Sequence, residues 1–378
     1  MNEALYWRVG VIANGVSYDL SLDLSSFTVE EEDGAPTMLT VQVSDPFAVF
    51  SHAFREGMDI EADVGTVDDH RTLFAGRIYH VDGSLPLNGT SSLTLKAYDA
   101  TMRMGLQERN RRFRDVALSN IVKIVAQPHL EGRPMTVKVD GDPTFPGEGL
   151  RQREETDLAF LRRLAQEAQC AMGIDFGDSG EEFIFKAQQQ ILQATPDVTL
   201  HYNRCGVSNR LLSFNAQADV ANIAVPRVLA GMDPTTGETI DPTPTTLTDV
   251  GSLEDRLRED NLAAFEEKHP DRGDALRDLI SAAETLDETV RQDLGESRRD
   301  AMLAFVTPSQ AAQVAQQQPS ATLHGMQASG TTSGNKDLHV RKAVDIEGAG
   351  RFSGTWFVTK ATHTLDRQGY RTDFSCQR

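Results

Sequence analysis

Apolar side chains alternate with polar ones along MLTVQV (Met38–Val43), the period of a strand that buries one face. Similar short runs recur at Asp59–Val64, Leu73–Val81 and Ser92–Ala97. Arg8–Ala13 and Val16–Leu22 flank Asn14-Gly15, a pair that accepts the positive φ both centres of a tight hairpin turn require. Asp45-Pro46 ends one strand, and Phe47–Phe54 predicts one short helix. Short strands separated by turn signals predict a small barrel or sandwich over the first hundred residues.

The period changes after Asp99. Asp115–Val125 reads as a helix with Val116, Ile121, Ile124 and Val125 as its apolar positions, stopped by Pro128, Gly132 and Pro134. A loop rich in Gly and Pro spans Gly141–Gly149. Thr156–Cys170 is the clearest helix: Thr156 can cap it, Asp157 suits the positive end of the helix dipole, and Leu158, Leu161, Leu164, Ala165 and Ala168 share one face. Ala171–Phe176 and Glu182–Lys186 around Gly177–Gly180 read as a closing hairpin.

A second β region begins near Val198, with strands predicted at Leu211–Phe214 and Ile223–Leu229, and resumes at Lys342–Ile346, Thr355–Thr359 and Tyr370–Ser375. Between the two parts lies a strongly charged segment of helical period. In it Leu276, Leu279, Ile280, Ala283, Leu286, Val290 and Leu294 trace one apolar stripe. That stripe either packs on its own β domain or docks a partner helix or neighbouring subunit. A Gln/Ala segment, Ser309–Gln318, follows as linker or frayed helix.

Charge narrows the function. The chain has 378 residues and a formal net charge of −19, which argues against coating DNA or an anionic membrane. No signal peptide is visible, and no run approaches the roughly 18 apolar residues of a membrane span. Cys170, Cys205 and Cys376 are neither a disulfide framework nor a zinc ligand set by spacing, which fits a reducing compartment. No HExxH, GxSxG, Walker loop or strand-borne GxGxxG is present. His324 and His339 are too far apart in sequence to assert a shared ligand geometry. Glu154-Glu155 and Glu181-Glu182 are adjacent pairs, unlike a glycosidase dyad drawn from separate elements, and read as solvated faces. The basic run QERNRRFR (Gln107–Arg114) reads as a salt-bridge surface rather than a nucleic-acid site.

Four features together resemble one family. Phe74, Gly76 and Ile78, followed by LTLKAYD ending at Asp99, are similar to the strands that close the first barrel of phage tail hub proteins. Gln152 and Asp157, followed by Phe160, Leu161 and Leu164, resemble the "Q-x-x-E-S/T-D-x-x-F-L-x-R-L-A" helix of the late control protein D family. Val225–Glu238 resembles the opening of that family's second barrel. Gly354, Trp356, His363, Tyr370 and Thr372 resemble its terminal "G-x-W-x-V … H … Y-x-T-x-F" strand pair. The family includes hubs of contractile phage tails and the hub portion of VgrG proteins.

The resemblance implies an α+β, mainly antiparallel β fold. A first tube-like barrel would span 1–103 and an α+β domain 104–194. A second barrel would span 195–239 and 321–378, with an acidic helical insertion and linker at 240–320. It implies a homotrimeric, pseudo-sixfold baseplate hub, joining the sixfold tail tube to the threefold spike around the channel for DNA ejection. An acidic lumen would not grip passing phosphates. Implied partners are the tail tube protein, the central spike, other baseplate proteins and the tape measure protein. DNA would be in transit only, and no cofactor, metal or catalytic residue is implied. The expected location is the virion tail, assembled in the host cytoplasm. VgrG proteins continue past the position of Arg378 into a spike, so a separate spike protein is expected here. The alternatives are the hub of a genome-free or type VI-like injection particle, a tail-tip enzyme acting on cell wall, and a glycan-binding β protein, for which Trp7 and Trp356 are the two tryptophans on offer.

Overall fold

The computed structural model describes residues 5–46, 48–145, 149–177, 180–202, 209–218 and 326–378, with short pieces between 231 and 282. The predicted strand at Ile223–Leu229, all of the family-like stretch Val225–Glu238 except Gly231 and Met232, the segment Ser309–Gln318 and the stripe residues Ala283, Leu286, Val290 and Leu294 lie outside them. The chain is α+β and mainly antiparallel β.

The first unit contains β1 (Leu5–Ala13), β2 (Val16–Asp19), β3 (Leu24–Glu32), β4 (Met38–Ser44), the short α1 (Phe50–Ala53), β5 (Asp59–Thr66), β6 (His70–Ser84) and β7 (Ser92–Tyr98). The strands lie side by side in the order β2-β1-β5-β6-β7-β4-β3. Asn14 (φ 51°) and Gly15 (φ 81°) make the β1–β2 turn, as their sequence predicts. Val9, Phe27, Val41, Ile60, Phe74 and Leu95 fill one core, so the sheet curls around it. The predicted Phe47–Phe54 helix contracts to α1, where the Asp45 carboxylate accepts from the Phe50 and Ser51 amides (both 3.1 Å) and fixes the start.

A 3₁₀ turn (Ala100–Gly105) leads into β8 (Glu108–Phe113), α2 (Leu118–Ala126), a second 3₁₀ turn (Gln127–His129), β9 (Met135–Lys138), β10 (Leu150–Thr156), α3 (Asp157–Glu167), β11 (Cys170–Gly177), β12 (Gly180–Ala187) and α4 (Gln188–Leu192). Here β8 pairs with β10, β11 with β12, and β9 lies parallel to β12. Phe113, Ile121, Val125, Phe160, Leu164 and Phe183 form a separate core. Helix α2 starts later than predicted because Asp115 is left-handed (φ 52°) and Ala117 bridges Thr144. Helix α3 ends at Glu167: Gln169 turns left-handed (φ 48°), and Cys170 already belongs to β11.

The remainder forms β13 (Val198–His201), β14 (Leu211–Ala218), the two-residue strands β15 (Gly231–Met232) and β16 (Thr239–Ile240), β17 (Met326–Ser333), β18 (Ala343–Glu347), β19 (Gly354–Asp366) and β20 (Gly369–Gln377). Val198, Leu200, Trp356, Val358 and Phe374 build a third core. Among the described residues near the insertion, Leu276 and Ile280 are half-buried, while Leu279 is 64% exposed.

Strand β19 joins the halves. It pairs with β20 on one side and β3 on the other, so one sheet runs from β14 through β17, β20, β19 and β3 to β2. A register shift between Val358 and Lys360 separates its two parts. Trp356, Val358 and, past the shift, Ala361 enter the third core, and Leu365 enters the first.

Candidate functional site

The family-like positions fall into three places. In the first unit Phe74 and Ile78 are core residues, and Gly76 sits where a Cβ would stand 2.3 Å from the Tyr98 carbonyl oxygen, so only glycine permits that strand approach. Asp99 is buried and accepts from the Thr37 and Thr101 amides, both at 2.9 Å, capping the 3₁₀ turn. Burial pushes its pKa up, against the pull of those hydrogen bonds.

The second place is the start of α3. Thr156 caps it, accepting from the Ala159 amide at 3.2 Å. Asp157, 1% exposed, receives Arg111 Nη1, Gln152 Nε2 and His129 Nε2, all at 2.8 Å. The five-residue spacing from Gln152 to Asp157 thus has a physical cause: a position inside β10, just before its register shift, and the first residue of α3 bond each other. Phe160, Leu161 and Leu164 face the core beneath, with Phe160 stacked on Phe113. The basic run becomes β8, an edge of this same node. Of the adjacent acids, Glu155 pairs with Arg163 at 2.7 Å and Glu181 with Arg133 at 2.5 Å.

The third place lies on the β3–β19 seam. Trp356 is fully buried and donates from Nε1 to the Phe352 carbonyl at 3.0 Å, so it offers no face to a glycan. Gly354 (φ 115°) opens β19 beside the Arg378 guanidinium. His363 pairs with Thr372 across β19–β20 and with Val29 across β3–β19, which places it diagonally from Glu31 on one face. Its Nδ1 lies 2.8 Å from the Tyr370 hydroxyl and 3.3 Å from that of Thr372.

This seam also collects residues that the sequence motifs do not include. Glu31 is 2% exposed, His339 3% and His363 0%. Glu31 accepts from His339 Nδ1 (3.0 Å) and from the Val340 amide (3.1 Å), and the two imidazoles stand 5.3 Å apart. Arg341, left-handed at φ 64°, donates to the Ile174 carbonyl of β11 and so ties the middle unit to the seam. Desolvation alone would raise the Glu31 pKa, but the His339 charge and hydrogen bond, with His363 and Arg341 behind them, hold it at about 2. Burial drives His363 down to about 4, reinforced by His339 and opposed by Glu31 and the Leu338 backbone. Burial also raises the Tyr370 phenol, keeping it protonated. The cluster therefore works on the fold, since no diffusing substrate reaches it.

A sequence signal for Glu31 exists. Phe27, Val29 and Glu31 occupy successive inward positions of one strand, so period two alone places a carboxylate in the core. His339 has no comparable signal, because it lies on a loop.

No protein-family model matches the sequence, and no curated protein matches it. Solved structures do match. A tail protein from Neisseria meningitidis MC58 shares 11% identity at a TM-score of 0.61, over 98% of this chain and 96% of that one. The 43 kDa tail protein of prophage MuSo2 from Shewanella oneidensis shares 13% at 0.57, over 99% and 98%. An E. coli component of the type VI secretion system, itself described as similar to the T4 tail proteins gp27 and gp5, shares 12% at 0.54, over 99% of this chain and 76% of that one. Across nearly its full length, this chain has the fold of phage tail proteins and of a type VI secretion component.

Proposed function

We propose that this chain is a structural hub of a contractile phage tail, with no catalytic role of its own. The observation that carries this is the shared fold over 98–99% of the chain, which takes in both β units and the module between them. The reading divides the chain into a first barrel (1–103), an α+β domain (104–194), a second barrel (195–239 and 321–378) and an inserted acidic segment (240–320).

Ring formation has a physical basis in the sheet. Among the described residues its path ends in β14 at one edge and β2 at the other. Every residue of β2 is exposed, and Val16, Tyr18, Leu22 and, next to β14's start, Leu212 present apolar surface nearby. Unlike edges on one molecule favour head-to-tail contacts, which close into a ring when the rotation allows. Three copies with two barrels each give a pseudo-sixfold face for a tail tube and a threefold face for a spike. Tape measure and other baseplate proteins are further partners, in a virion tail built in the host cytoplasm. The likeness to a type VI component supports a second reading, in which the same ring serves an injection particle without a genome.

The test is electron microscopy of the purified chain, with its mass in solution measured alongside, alone and mixed with candidate tube and spike proteins. The expected species has three times the 41.5 kDa chain mass and a threefold ring with six lobes around a channel. A chain that stays monomeric or dimeric in every mixture would overturn the hub reading.

A further inference from the structure

The strongest unassigned chemistry is the cluster at the β3–β19 seam. One carboxylate oxygen of Glu31 and one ring nitrogen each of His339 and His363 lie within 4.8 Å of one another. All three residues are buried. The Nε2 atoms of both histidines are buried and make no hydrogen bond of good geometry, although the Leu338 backbone bears on the His363 ring. Leaving a buried polar atom unpartnered is costly, so two in one cluster ask for an explanation.

We propose that Glu31, His339 and His363 form a binding site for one divalent transition-metal ion of the zinc class. Two imidazoles and a carboxylate are a donor set such ions favour. Ligand atoms around one zinc stand about 3.3–3.5 Å apart, given metal–ligand bonds of about 2.0–2.2 Å, so the widest gap must close by about 1.5 Å. Metal binding therefore requires the three side chains to rotate inward. Supporting contacts are already in place: the Val340 amide holds Glu31, and the Tyr370 and Thr372 hydroxyls hold His363 at Nδ1. Metal-binding histidines are usually oriented by such a contact at the other nitrogen. That leaves His363 Nε2 as its ligand atom.

Two cations bear on the cluster, Arg341 on Glu31 and Arg71 on His363, and the field of Arg341 is shared with Asp33, Asp99 and Asp175. Three protein ligands leave a fourth position for water. The ion would rivet β3 to the 334–342 loop and β19, which lie more than 300 residues downstream of it. Because the site is closed to solvent, the ion enters during folding and exchanges slowly afterwards. This inference stands apart from the hub reading: a metal-free hub and a metal-loaded protein that forms no ring are both distinct outcomes.

The experiment uses the full chain without an affinity tag, expressed with added zinc. Elemental analysis should find about one zinc per chain after desalting. The protein is then unfolded with a chelator and refolded with or without Zn²⁺. Zinc should raise Tm by about 3 °C, the shift expected when the ion is near 100 times its Kd. Refolding with Co²⁺ should give visible absorption that His363→Asn and His339→Asn each abolish. Should those variants fail to fold, refolding of the unaltered chain still decides the matter. Less than a tenth of an equivalent of metal together with an unchanged Tm would overturn the proposal, as would retention of the ion by a folded His363→Asn protein.

Discussion

Two buried acids organise this molecule, and they do so differently. Asp157 is served by residues on neighbouring elements of one module, and its principal cation, Arg111, keeps 28% of its side chain in water. Glu31 is served by His339 from 308 residues away, with both side chains sealed from solvent. A partly wet node can lose a partner and recruit water. A dry one leaves the surviving charge with nothing. The first strengthens a module, whereas the second makes two halves of the chain depend on each other.

That contrast orders the expected effects. Glu31→Gln sets an amide group against the buried His339 and Val340 donors and should cost about 3 kcal/mol, read from denaturant unfolding in chelator. A loss below 1 kcal/mol would mean that the seam is wetter than the structure shows.

Acid should act next. His363 has a folded pKa of about 4 against an ordinary 6.5, so the native state resists its protonation. The stability this contributes is full above pH 6.5 and is lost as pH falls towards 4. It amounts to at most about 3 kcal/mol for a shift of this size. Glu31, depressed from 4.5 to about 2, extends the loss below pH 4.5. Unfolding curves between pH 7.5 and 4 should show this slope, and His363→Gln should flatten it above pH 4.5.

Asp157→Asn should cost less, about 2 kcal/mol, because Arg111 turns to solvent and the amide still bonds Gln152. The smallest change belongs to Arg163→Gln, which removes a half-buried pairing with Glu155 and an exposed one with Glu167 and should shift stability by about 1 kcal/mol. If Asp157→Asn matched Glu31→Gln, the wet–dry distinction would fail.

Much of this was legible. The Asn14-Gly15 hairpin, the Met38 strand and the α3 face follow from local pattern, whereas Gln152 and Asp157 stood out only through a family resemblance that said nothing of their hydrogen bond. What escaped had no apolar period to show. Strand β17 buries Ala328, Gly330 and Thr332, residues too small or too polar to register as a hydrophobic stripe. Gly330 is needed there because a Cβ would stand 2.7 Å from the Phe374 ring. Strand β8 is almost wholly polar and is held by backbone pairing to β10. Glu31 obeyed period two but carried the wrong chemistry for a core. Its partner, His339, is brought there by a loop whose course no local rule fixes.

The pairing of β3 with β19 bears on how the protein is made. During synthesis β3 emerges early, bonds β4, and then presents a bare edge until a strand over 300 residues downstream arrives to cover it. Long-range pairings of this kind fold slowly and leave intermediates prone to sticking. Glu30, Glu31 and Glu32 stand in a row at the end of that edge. Before β19 is in place, their charges repel other copies of the same nascent strand. The acid that locks the finished seam also guards it while it is open.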